Sequence, residues 1–215
     1  MNKNFIKLLS FCLICIICFT SCERYPISAL LGIPKKIDSW PDPWYLYDDE
    51  INTKGSLAPY RWEDDPYCAD WNKVLLDFAC TDHPKNGRKC MKLTWVGNVN
   101  DTGKSYFGFG LRATEYIGGI VNLSTSGYAS LKFWIKGNLY TNCSFEIKIP
   151  KGNTSWAQKV LSATEVTPYW TEYTIQLPNI EDMTEIEFDI AISLLADGTT
   201  NGGTIYLDDI RFTRD

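Results

Sequence analysis

Residues 185–194 alternate between apolar and polar for ten positions without a break. Ile186, Phe188, Ile190, Ile192 and Leu194 fall on one side, and Glu185, Glu187, Asp189, Ala191 and Ser193 on the other. A period of two belongs to a strand with one buried face; a helix would scatter these residues around its axis. Residues 204–212 show the same period with one fault. Ile205 and Leu207 share one parity, Ile210 and Phe212 the opposite one, and the change falls at Asp208-Asp209. An inserted residue there predicts a β-bulge, which bends a strand and re-aims its side chains. Residues 196–203 are rich in Gly, Thr, Asn and Asp, so the two stretches are expected to form a C-terminal hairpin.

The same short period recurs upstream. Strands are predicted at 44–49, 74–80, 89–95, 106–112, 128–136, 143–149, 156–161 and 169–177. Breaks such as Gly118-Gly119, Gly137-Asn138 and Lys151-Gly152-Asn153 separate them. His83-Pro84-Lys85-Asn86-Gly87 is a turn, since Asn-Gly favours the tight hairpin geometry. Residues 70–78 are the one place where a short helix competes. Many short strands at this spacing predict an all-β fold, an antiparallel two-sheet β-sandwich.

The first 43 residues do not follow this pattern. Lys3 and Lys7 precede an apolar run at 8–19 that is too short to span a bilayer as a helix. The run ends at Phe19-Thr20-Ser21-Cys22, which resembles the lipobox of bacterial lipoproteins. That resemblance implies a signal peptide at 1–21, lipid on Cys22, and a lipid-anchored place in the bacterial cell envelope, at the outer membrane or cell surface. An ordinary secretory signal or an uncleaved anchor is the alternative. Pro26, Pro34, Pro41 and Pro43 make 22–43 a tether, and the folded domain is expected at 44–215. Without Lys3 and Lys7 the chain carries 19 basic and 26 acidic residues, a net of −7. With no basic run left, nucleic acid is not an expected partner, nor is anionic lipid through charge alone. A monomer is expected.

Phe133-Trp134-Ile135-Lys136-Gly137, Trp170 to Leu177, and Ile205-Tyr206-Leu207-Asp208-Asp209-Ile210 resemble, in order and spacing, the galactose-binding-like jelly rolls. Among these the chain is most similar to carbohydrate-binding modules of the β-glucan- and xylan-binding kind, over residues 44–212. The resemblance implies a non-catalytic domain with an oligo- or polysaccharide as partner. It also implies that first and last strands lie together, which brings Asp48, Asp49 and Glu50 towards Asp208 and Asp209. Like charges so placed call for a cation. A structural calcium ion is therefore expected, with Asp49 and Asp209 as ligands and Asp208 beside them.

Candidate sugar contacts follow from alternation. In 106–112, Phe107, Phe109 and Leu111 form a core face, while Tyr106, Gly108, Gly110 and Arg112 share the other. Two glycines on one face mark a place where something approaches the backbone closely. Tyr106 and Arg112 frame that floor, suited to the C–H faces and hydroxyls of a sugar. Trp134, between Lys132 and Lys136 on the next predicted strand, is a second candidate platform, with Trp62 at the rim. The alternative is that Trp134 is covered by a loop or by the tether, which would fit a structural or protein-binding lipoprotein.

Cys68, Cys80, Cys90 and Cys143 remain after the signal. Cys80 and Cys90 are symmetric about the Pro84–Asn86 turn, which suits a cross-strand disulfide. Buried free thiols are the alternative; their spacings fit no common zinc pattern. Catalysis is not expected. His83 is the one histidine and lies in a turn. The acids at 48–50 and 63–65 leave a small glycoside hydrolase as the remaining enzymatic reading.

Overall fold

The computed structural model describes residues 42–51, 57–61, 74–95, 106–113, 127–139, 143–151, 154–178, 187–194 and 202–214. Every regular element among them is a strand. In chain order they are β1 Trp44–Asp48, β2 Glu50–Ile51, β3 Leu57–Arg61, β4 Val74–Cys80, β5 Cys90–Trp95 and β6 Tyr106–Ala113, followed by β7 Ser130–Asn138, β8 Cys143–Lys151, β9 Thr154–Ser162, β10 Thr171–Gln176, β11 Glu187–Leu194 and β12 Gly203–Thr213. They form two antiparallel sheets. A seven-stranded sheet runs β10-β7-β12-β1-β2, with β5 also paired to β12 and β4 paired to β5. A five-stranded sheet runs β3-β6-β11-β8-β9. The expected all-β sandwich is the observed fold.

The core is what the alternation predicts. Phe107, Phe109 and Leu111 of β6, Leu131, Phe133 and Ile135 of β7, and Phe145, Ile147 and Ile149 of β8 are all buried. Aromatic rings bridge the sheets. Trp95 and Phe107 lie 5.5 Å apart between centroids, Phe78 meets Phe109 edge-on at 5.5 Å, and Phe133 meets Phe145 at 6.0 Å. Such contacts add to the burial of two large apolar surfaces.

The first and last strands do pair, with Trp44 opposite Phe212. The bulge in β12 is also present: Asp208 pairs with Trp134 and Arg211 with Lys132, three steps on β12 against two on β7. Two expectations are corrected. Strands β11 and β12 are not a hairpin, because β11 belongs to the five-stranded sheet and β12 to the seven-stranded one. Residues 74–80 form the expected strand, and the competing short helix is not adopted there. The hairpin around Asn86-Gly87 pairs Cys80 with Cys90 as expected, but Lys92 lies opposite Asp77 because the register slips between Asp77 and Cys80. Strand β3 was not predicted. It carries Pro59, which a sheet tolerates at an edge, and β3 is the edge of its sheet.

Phe133 is fully buried and packs against Phe145 and, at 5.9 Å, Tyr173. Phe133→Ala should cost about 3–5 kcal/mol in urea unfolding, because the space cannot collapse between two paired sheets.

Candidate functional site

Cross-strand register lays out the outer face of the five-stranded sheet. Tyr60 stands opposite Gly110, Gly110 opposite Asp189, Asp189 opposite Lys148, and Lys148 opposite Gln158. One row therefore crosses all five strands. A parallel row runs Gly108, Ala191, Glu146, Val160. Residues paired across strands share a face. The middle of this face is thus built from Gly108, Gly110 and Ala191, with Asp189, Glu146 and Lys148 around it. Asp189 is only 6% exposed. Five strands at ~4.8 Å spacing span roughly 19 Å, enough for several units of a linear ligand. Tyr106 and Arg112 stand at the ends of the same β6 alternation, opposite Ser193 and Glu187.

Trp134 and Lys136 are elsewhere. They lie on β7, in the seven-stranded sheet, so they cannot share a platform with Tyr106 and Arg112. β6 lies in the five-stranded sheet and β7 in the seven-stranded one, so the two candidate platforms are separate. Trp134 is half-buried, with the Lys85 ammonium 4.3 Å from its ring centroid. Lys136 lies over Trp170 at 4.8 Å and Tyr206 at 4.9 Å. Its Nζ donates to the His83 carbonyl at 3.0 Å, and Trp170 Nε1 donates to the same oxygen at 3.2 Å. The β4–β5 loop therefore lies on this face, and cations occupy ring faces that a sugar would need. Desolvation holds the Lys136 ammonium below the usual lysine range.

The acids at the bulge hold that loop. Asp208 Oδ2 accepts from the backbone N–H of Lys85 at 2.8 Å and of Asn86 at 3.4 Å, and its Oδ1 accepts from Asp209 N at 2.8 Å. Asp49 Oδ1 accepts from Arg88 N at 2.5 Å and Lys89 N at 2.7 Å. The Asn86 amide donates to Asp209 Oδ2. Gly87 closes the turn at φ +60°, where a Cβ would fall onto the Asp49 carboxylate, 2.6 Å from its Oδ2. These oxygens face N–H donors, which a cation would have to displace. Among the described residues no group of three or more His, Cys, Asp or Glu is arranged for a metal. Asp48 comes within side-chain hydrogen-bonding reach of Asp209, and burial followed by the Asp209 and Asp49 charges pushes its carboxyl up.

Cys80 and Cys90 are both buried and are separate thiols in this structure. Cys22, the 1–21 segment, Trp62 and the acids at 63–65 lie outside the described residues, as do the side chains of Tyr60, Tyr106, Arg112, Trp156 and Ala191, which are placed by the backbone alone.

Residues 53–214 match the family model of carbohydrate binding domain 30. The chain belongs to the carbohydrate binding domain 30 family. Several solved structures are similar to this family member. They include the CBM27-1 module of Caldicellulosiruptor saccharolyticus in complex with mannohexaose, at 17% identity and a TM-score of 0.50, covering 82% of this chain and 99% of that one. A family 11 carbohydrate-binding module of a Clostridium thermocellum cellulase is similar at 14% identity and a TM-score of 0.47, covering 81% and 96%. A carbohydrate-binding module of the β-sandwich superfamily is similar at 17% identity and a TM-score of 0.45, and the chain spans 61% of its length while 78% of this chain is covered. No curated protein sequence matches the chain. The resemblance to carbohydrate-binding modules read from the sequence is thereby shown, and family membership supports carbohydrate binding.

Sequence reasoning missed Tyr60, Asp189, Glu146 and Lys148 of this carbohydrate binding domain 30 chain. Asp189 and Glu146 stood on the polar side of alternating stretches, which was a signal. Their neighbours could be found only from register.

Burial pushes the Asp208 carboxyl up to about 6. A group raised above its unfolded value binds its proton more tightly when folded, so stability should rise as pH falls from 7 to about 4, by about 2 kcal/mol. The Asp49 carboxyl is held low by the N–H groups of Lys89 and Arg88, so its contribution is lost below about pH 4. Urea unfolding at pH 5 and pH 8 checks this, and Asp208→Asn should remove the gain between them.

Proposed function

We propose that the domain binds a linear oligo- or polysaccharide across the outer face of its five-stranded sheet, without cleaving it. The observation that carries this reading is the row Tyr60, Gly110, Asp189, Lys148, Gln158, which crosses every strand of that sheet. Glycine at its centre lets a ligand come close to the backbone. Carboxylates and an ammonium alternate beside it, and sugar hydroxyls need both acceptors and donors. The solved complex with mannohexaose supports a linear oligosaccharide as the kind of ligand to try first. Tyr106 and Arg112, at the ends of the β6 alternation, complete the face in this reading.

The test is a glycan-array screen followed by calorimetry. Gly110→Val should abolish binding by filling the floor, and Asp189→Asn should weaken it by on the order of 1–3 kcal/mol if the carboxylate is a central contact. Trp134→Ala should leave affinity unchanged. Loss of binding in Trp134→Ala with Gly110→Val unaffected would move the site to the other sheet.

We further propose that the domain is displayed outside the cytosol, in the bacterial cell envelope, through lipid on Cys22 and the 22–43 tether. The apolar run ending at Cys22 supports this, since two or more acyl chains anchor a protein stably. In cell fractionation, Cys22→Ser should shift the protein from membrane to soluble fractions; unchanged partitioning would remove the anchor from this residue.

A further inference from the structure

We propose that Cys80 and Cys90 are an oxidisable pair, which forms a cross-strand disulfide at the stem of the β4–β5 loop when the chain folds in the presence of a small-molecule disulfide. The two stand opposite each other where β4 meets β5, at either end of the loop. Opposed residues of an antiparallel pair hold their Cβ atoms about 4.5–5.5 Å apart, and a disulfide needs about 3.5–4.5 Å, so a small shift closes the bond. The register slip between Asp77 and Cys80 brings these two cysteines into line.

The surroundings suit a bond there. Cys80 is 4% exposed and Cys90 0%. Cys90 Sγ lies 3.7 Å from the Cys80 carbonyl oxygen and 3.6 Å from that of Asp82, while Asp82 N donates to Cys80 Sγ at 3.4 Å. Burial, and then the nearness of Cys80, push the Cys90 thiol up to about 12. Cys143, also a buried thiol, belongs to β8 of the other sheet and does not compete. The loop that the bond would close is already fixed by Asp208, Asp49, Lys136 and Trp170. The oxidised form therefore needs no new fold.

The chemistry is thiol–disulfide exchange with a small disulfide such as oxidised glutathione. One cysteine thiolate attacks that disulfide and releases one glutathione thiolate. The second cysteine thiolate attacks the protein sulfur of the mixed disulfide, forming the Cys80–Cys90 bond and expelling the second glutathione thiolate. Two electrons pass to the oxidant, and the two cysteine protons end on the two glutathione thiols. Thiols buried and held protonated in this way react slowly once the loop is docked. The bond should then form during folding and resist reductant afterwards.

The test refolds the chain with oxidised glutathione, alkylates remaining thiols and maps the tryptic peptides. Lys85, Arg88 and Lys89 lie between the two cysteines, so trypsin separates them and the bond links two peptides. The expected result is a linked pair that vanishes on reduction. The Tm of the oxidised chain should exceed that of the reduced chain by several degrees, with no difference in a Cys80→Ser/Cys90→Ser variant. Full alkylation of both cysteines, or a link from either to Cys68 or Cys143, would overturn the pairing. The peptide map uses the unaltered chain, so it decides even if the double variant does not fold.

Discussion

Strand β12 has to satisfy three neighbours: β7 along one edge, β5 and β1 along the other. A strand of eleven residues with strict alternation would bury one half correctly and expose the apolar residues of the other. One extra residue at Asp208-Asp209 resets the parity, and Ile205, Leu207, Ile210 and Phe212 all reach the core. The reset leaves Asp208 inside the sheet with 0% exposure and Asp209 at a φ of +49°. A carboxylate removed from water is costly unless hydrogen bonds replace its hydration. The N–H groups of Lys85, Asn86 and Asp209 supply them. The docked β4–β5 loop is therefore the other half of the bulge. Its contacts with Trp134, Lys136 and Trp170, and the alignment of Cys80 with Cys90 at its stem, follow from that docking.

This coupling occupies much of the outer face of the seven-stranded sheet, whereas at the middle of the other sheet Gly108, Gly110 and Asp189 are buried. Trp134, Tyr206 and the neighbouring Trp170 each have a lysine ammonium over the ring. Tyr206 has Lys92 on one side at 5.6 Å and Lys136 on the other at 4.9 Å, and Lys92 is in turn held by Asp82 at 2.9 Å. Those rings contribute to holding the loop, with little left to offer a ligand. The five-stranded sheet is composed differently, with two glycines and an alanine at its centre and charged residues beside them.

Period-two alternation states which side of a strand is buried; it does not say which sheet the strand joins. The inner and outer sets of β6, β7, β8 and β12 were therefore legible, as was the bulge, because the parity change at Asp208-Asp209 is itself a periodicity signal. The partnering of β11 was not. Its alternation suits either sheet, and the Gly-rich 196–203 stretch reads equally well as a hairpin loop or a crossing between sheets. Strand β3 escaped because five residues containing Pro59 carry too little pattern. Trp134 was correctly assigned to an outward face, but its separation from Gly108 and Gly110 depends on strand order. The acids were rightly brought together by the pairing of β1 with β12. The backbone N–H groups that engage Asp208 were not legible, because they belong to a loop more than a hundred residues away.

The two outer faces thus divide the work of the domain. One carries the device that makes a bulged central strand tolerable, and its side chains are committed to each other. The other carries Asp189, buried among neighbours yet opposite a glycine that adds no side chain of its own. A carboxylate in that position is largely desolvated, so its electrostatic interactions with neighbouring groups are stronger than they would be in water. Lys148 stands opposite it on the next strand. Because the loop and the row sit on different sheets, the proposed binding face can be altered by substitution without disturbing the contacts that hold the loop.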